Sequence, residues 1–182
     1  MSYEYKGQTQ GKTQAAAPAQ RAPRRSPAGG DSAAGGGSAA GGRSLLQIFS
    51  AVVGLAFLLA GVGGFIPGIT SNYDDLSLFG TDSNAELLGL FRVSILHNIV
   101  HLLFAIGLLA AAKASLSKLY LIGGGVGYLG VFAYGLIVDQ DSDANFLPLN
   151  DADNFLHLGL SLGMIVLGVV GVAVAKRAVS RA

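Results

Sequence analysis

Four stretches of the chain are apolar over roughly the length a helix needs to cross a bilayer, about 20 residues. They run Leu45–Ile66, Leu87–Ala112, Leu119–Val138 and Phe155–Ala175. None carries the wide polar stripe that a helix in a soluble bundle keeps for water. The expected fold class is therefore all-α, an integral membrane four-helix transmembrane bundle. Composition agrees, since only 13% of the 182 residues are charged, against about 25% in a soluble domain. Helix breakers and caps fit the edges. Pro67-Gly68 should end the first span. Ser83 or Asn84 should cap the second, with Glu86 near its positive dipole end, and Pro148 and Asn150-Asp151 precede the fourth. The apolar core of the first span, Ile48 to Ile66, is longer than a signal-peptide core of about 7–15 residues, so it reads as a retained anchor.

Residues 1–44 have a different character. They are rich in Gln, Gly, Ala, Pro and Ser, and Ala28–Gly42 reads as a flexible linker. Such a segment buries too little apolar area to offset its chain entropy, so a disordered N-terminal arm is expected. Lys6, Lys12, Arg21, Arg24, Arg25 and Arg43 against Glu4 and Asp31 leave the arm at +4. Arg21, Arg24 and Arg25 could touch anionic headgroups at about 1 kcal/mol each. Aromatic residues are confined to Tyr3 and Tyr5 in the arm, so no nucleic acid is expected as a partner.

Charge sets the expected orientation. The segments Pro67–Glu86 and Asp139–Asn154 carry acidic residues and no Lys or Arg. The turn Lys113–Lys118, the arm and the tail with Lys176, Arg177 and Arg181 are basic. Arg92 is the one basic residue out of place. The positive-inside rule then puts both termini in the cytoplasm of a multi-pass plasma-membrane protein, with residues 177–182 as a short cytoplasmic tail.

Helix association in lipid depends on close packing, which small residues allow. Gly123, Gly127 and Gly130 share one face of the third span and form the expected packing stripe. Gly124 and Gly135 lie on a neighbouring face. Gly125-Val-Gly127-Tyr-Leu-Gly130 matches the dinucleotide fingerprint in letters, but that motif needs a preceding strand. Here it lies inside an apolar span.

The polar residues within the spans carry the chemical interest, because such groups are expensive in lipid and usually face the bundle interior. Ser94, His97, Asn98 and His101 fall within one arc of the second span, with Arg92 on the opposite side. Asn154, His157 and Ser161 share a face of the fourth. These eight residues form the candidate intramembrane cluster. His97 and His101 have the i, i+4 spacing that can place two imidazoles on one metal, with His157 as the third ligand. Asn98 stands where a zinc protease needs its glutamate base, so that reading fails. Haem is the other alternative, with His157 and one of the other histidines as axial ligands from separate helices. Depth argues against a shared site. Counted as helix from Glu86, His97 lies about 8–9 Å deeper than His157, a gap that tilt or a deeper start of the fourth helix could close. Arg92 could snorkel outward or pair with Asp151 or Asp153. A structural hydrogen-bonded network is the first reading, with a metal or haem site and a proton or substrate path as alternatives. No acid completes a catalytic triad with Ser94 or Ser161, and cysteine is absent. The loop from Asp139 begins like an EF-hand but has Ala144 and Asn150 where glycine and glutamate belong, so it reads as a solvated acidic loop.

Three pieces together resemble domain-of-unknown-function family 4383. They are Gly61-Val-Gly-Gly-Phe-Ile-Pro67-Gly68, Leu90-Phe-Arg-Val-Ser-Ile-Leu-His97-Asn98-Ile-Val-His101-Leu, and Phe146-Leu-Pro148-Leu-Asn150-Asp-Ala-Asp153-Asn154-Phe-Leu-His157. The resemblance covers about residues 45–176. It implies a small four-span membrane protein, of a kind found mostly in actinobacteria, with no catalytic residues to transfer. The functional expectation is an integral membrane protein of unassigned activity, most consistent with a non-enzymatic structural or partner-binding component. A haem- or metal-binding redox protein and a small transporter or proton relay are the alternatives. The expected partners are the bilayer and either a second copy or other membrane proteins.

Overall fold

A computed structural model describes residues 43–181. The arm expected to be disordered, with Arg21, Arg24 and Arg25, lies outside the described residues except for Arg43 and Ser44. Helix α1 spans Leu45–Gly63. Ser44 caps it by accepting from the Gln47 N–H, while the Gln47 side chain accepts from the Ser44 N–H. This reciprocal box satisfies two donors that a helix start leaves unpaired. The chain leaves α1 at Gly64, just before Pro67-Gly68, as the breakers imply. A small antiparallel sheet follows, in the order β1 (Thr70–Ser71), β2 (Glu86–Leu87) and β3 (Phe91–Arg92). Then come α2 (Ile95–Phe104), α3 (Gly107–Ala110), α4 (Ala114–Ile137) and α5 (Asp151–Val179).

Three of these helices, α1, α4 and α5, are long and apolar enough to cross a membrane. The second expected span is different. Residues 87–92, expected to be helical, belong to a hairpin whose turn places Leu88 at φ 56° and Gly89 at φ 67°. Ser83 does not cap a helix. Its hydroxyl donates to the Val93 carbonyl at 2.6 Å and fastens the hairpin. The true cap is Ser94, whose hydroxyl accepts from the His97 N–H at 3.1 Å. A short apolar run cannot be assigned to helix or strand by periodicity alone, and here the turn residues decide. The helix also breaks between Phe104 and Gly107. The Phe104 carbonyl, freed by the break, accepts from the Tyr120 hydroxyl at 2.9 Å, which satisfies that carbonyl away from water. From Ile95 to Ala110 this arm is 16 residues, about 24 Å long.

The arms pack antiparallel in pairs. Gly54 and Gly61 of α1 lie against Gly107–Leu108 and Leu102, and Ser50 donates to the Gly107 carbonyl at 2.8 Å. On α4, Gly125 lies against Ser161 and Ile165 of α5, Gly124 against Met164, and Gly135 against Asn154. The expected stripe of Gly123, Gly127 and Gly130 is not this contact face. Among the described residues, nothing lies within 4 Å of where a β-carbon would stand on Gly127 or Gly130, and Gly123 meets only Leu119 of its own helix. Helical spacing defines a glycine face, but the large side chains of α5 decide which face is used. Gly125, Gly127 and Gly130 sit in the middle of α4 with no strand before them, so the fingerprint letters form no phosphate loop.

The distribution of polarity is the reverse of a soluble bundle. Ser50, Asn98, His101, Asn154, His157 and Ser161 are buried, while Leu59 (65% exposed), Leu103 (67%) and Leu119 (69%) point outward. An outward apolar surface of this extent suits lipid contact. The acidic loop before α5 is held by Asn145, which donates to the Gln140 and Leu149 carbonyls and accepts from the Leu149 N–H, each at 3.0 Å.

Candidate metal centre

The site forms where the first turn of α2 meets the second turn of α5. Ser94 starts α2 so that His97 lies three residues into the helix, with His101 one turn further on the same face. Asn150 starts α5. Its side chain accepts from the Asp153 N–H, and Asp153 accepts from the Asn150 N–H at 3.0 Å. That cap brings His157 two turns in.

One ring nitrogen from each of His97, His101 and His157 lies within 4.8 Å of the other two, and all three residues are buried. The ring centroids of His97 and His101 are 4.5 Å apart, and those of His97 and His157 are 5.9 Å apart. The expected depth mismatch therefore does not occur. It came from counting residues 87–94 as helix, at about 1.5 Å per residue. Because they form the hairpin instead, His97 sits near the start of its helix and level with His157.

The surroundings fix the rings. His97 Nδ1 is 3.1 Å from the Arg92 carbonyl oxygen. A carbonyl can only accept, so Nδ1 carries the proton and Nε2 keeps its lone pair. A metal-binding histidine is commonly oriented by this kind of second hydrogen bond. The Nδ1 atoms of His101 and His157 are buried with no hydrogen-bond partner among the described residues. Phe57 packs on His101 with centroids 5.8 Å apart, and Tyr128 meets His157 edge-on at 5.3 Å.

The remaining candidates divide. Arg92 lies in β3, and its backbone N–H rather than its guanidinium reaches Asp153, at 3.1 Å from Oδ2. Its Nε is buried without a partner among the described residues. Ser94 acts as the helix cap. Asn98 is fully buried beside Gly64, and both polar atoms of its side chain are unpartnered among the described residues. Asn154 donates to the Gly135 carbonyl at 2.9 Å and ties α5 to the end of α4. Ser161 turns its hydroxyl back onto the Leu158 carbonyl of its own helix at 2.8 Å. The residues that sequence reasoning underrated are Asp153, Phe57 and Tyr128. Asp153 was legible, since it stands one helical turn before His157 on the same face, and the Asn150-x-x-Asp153 spacing is a capping box.

Neutral imidazoles suit zinc, copper, nickel or iron. Metal–nitrogen bonds of about 2.0–2.1 Å in tetrahedral geometry need nitrogens about 3.3 Å apart. The three nitrogens, within 4.8 Å of one another, would have to draw closer to share one ion. Asp153 lines the same cavity as His101 and His157.

Fold and cluster together define a helical protein of membrane-crossing length with a buried histidine triad. The family model described as a domain of unknown function (DUF4383) matches residues 47–170, and the chain belongs to that family. No curated protein and no solved structure matches the chain.

Proposed function

We propose that this is an integral plasma-membrane protein that carries a transition-metal ion on His97, His101 and His157. The observation that carries the reading is the convergence of three buried ring nitrogens within 4.8 Å. The first expectation from sequence, a purely structural network, fits less well. A buried network contributes when its members are satisfied, and here the Nδ1 atoms of His101 and His157 have no partner among the described residues. Haem fits less well too. A macrocycle would have to enter between imidazoles against which Phe57 and Tyr128 already pack.

Metal analysis tests the reading. Protein purified in mild detergent, loaded with Zn2+ and freed of excess, should retain about one equivalent per chain. His157→Ala and His97→Ala should each weaken retention at least tenfold. Equal zinc content in wild type and both variants would sink the idea.

The membrane arrangement is four crossings, with α2–α3 as the short second one and both termini cytoplasmic. Support comes from the basic 113–118 turn and C-terminal end against the acidic 67–86 and 139–154 segments. Since the chain has no cysteine, single thiols report cleanly. Asp143 and Ser115 are both exposed. Asp143→Cys should react with an impermeant maleimide in intact cells and Ser115→Cys only after permeabilisation. The opposite pattern would reverse the orientation.

A further inference from the structure

A groove of about 550 Å³ opens beside the histidines, between the C-terminal half of α1 and the N-terminal half of α5. The hairpin β2–β3 closes one end. Its walls are apolar, and exposed Ala56, Leu59 and Leu156 lie on its outer edge, on the flank that would face lipid. The floor is different in kind, because Asp153, His101 and His157 all line it. The latter two are more than nine-tenths buried, and their Nδ1 atoms lack partners among the described residues. Leu88 stands at the rim, 70% exposed and held at φ 56°. Leucine adopts that conformation at a cost of roughly 1–2 kcal/mol, so the hairpin presents this side chain to the groove against its backbone preference.

We infer that the groove binds a neutral, ring-headed lipid bearing hydrogen-bonding oxygens, of the chemical class of a lipid quinone or quinol, admitted sideways from the bilayer. The volume is that of a small-molecule pocket, about 300–1,000 Å³, enough for a ring and the first part of a tail. The apolar walls take the tail and ring. A neutral imidazole offers one donor and one acceptor, which match a quinone carbonyl or a quinol hydroxyl. Phe57 and Phe91 offer aromatic surface to a planar head. A phospholipid headgroup fits poorly, because among the described residues the lining contains neither Lys nor Arg to meet a phosphate. Head and ion position adjoin through His101 and His157, but the groove exists without an ion.

The probe is a decyl-tailed 1,4-benzoquinone, titrated into the full chain in lipid nanodiscs, with protein-free discs of the same lipid as reference. Wild type should take up one saturable equivalent above partitioning. Ala56→Phe fills the groove from an exposed position and should weaken that binding at least tenfold. Leu156→Trp does the same from α5, so a folding defect in one variant leaves the other to decide. Decanoate, a carboxylate of comparable tail, should not compete. Uptake equal to protein-free discs, unchanged affinity in both folded variants, or full competition by decanoate would each overturn the inference. Zinc content measured on the same samples separates the two readings. Saturable quinone uptake without metal retention removes only the metal proposal. Retained metal without saturable uptake removes only this one.

Discussion

Asp153→Ala is expected to lower unfolding stability by about 2–5 kcal/mol and to weaken zinc retention about 10–100-fold. The carboxylate is buried, and its Oδ2 accepts from two backbone donors, the N–H of Asn150 at 3.0 Å and the N–H of Arg92 at 3.1 Å. A hydrogen bond contributes about 0.5–1.5 kcal/mol net, and a donor stranded without a partner costs about 1–3 kcal/mol. Alanine removes the Asp153 half of the capping box at the start of α5 and the tie from α5 to β3 together. The effect on metal is indirect. The Arg92 peptide, whose N–H Asp153 holds, belongs to the residue whose carbonyl orients His97. Asp153→Asn keeps an acceptor oxygen in place and should lose less than half as much. Denaturant titration in detergent micelles, with zinc analysis on the same samples, measures both effects. An Asp153→Ala protein as stable as wild type would refute the role given to this carboxylate.

Gly54→Ala and Gly127→Ala should change stability in opposite directions. A methyl group on Gly54 would stand 2.5 Å from the Leu108 backbone nitrogen and 2.8 Å from the Gly107 carbonyl carbon. Both are backbone atoms, so α1 and α3 would have to separate, at about 1–3 kcal/mol. At Gly127 nothing lies within 4 Å of the added carbon, and the gain in helix propensity should stabilise by about 0.5–1 kcal/mol. The same titration compares them. A loss at Gly127 as large as at Gly54 would mean that the Gly123–Gly127–Gly130 face is covered, with a second copy of the chain the first occupant to test by crosslinking.

Hydropathy alone was enough for α1, α4 and α5, because each is a long uninterrupted apolar run. The cap at Asn150 was legible from the turn before α5. The polar face of His97, His101 and His157 was legible from helical spacing. The hairpin at residues 86–92 was not. Leu87, Leu88, Leu90 and Phe91 read as helix or strand equally well, and the decision rests on a leucine in the left-handed region and on a serine hydroxyl reaching Val93. That one misreading shifted the apparent depth of His97 and hid the meeting of all three histidines. The packing face of α4 was hidden for another reason. Glycine marks where a helix can be approached, while the neighbour's large side chains, here Met164 and Ile165, choose where it is.

The short α2–α3 arm has a consequence for the surrounding lipid. At about 24 Å it falls short of the roughly 30 Å of hydrocarbon in an average bilayer, whereas α4 and α5, with 24 and 29 residues, exceed it. On the membrane-spanning reading, acyl chains beside that arm must compress, or the exposed Leu88 and Leu90 of the hairpin must sink to fill the deficit. The bilayer would be thinnest on the side where the hairpin lies. Membrane thickness then becomes a variable of the histidine pocket, with short-chain lipids favouring the arrangement described here and long-chain or sterol-rich lipids straining it.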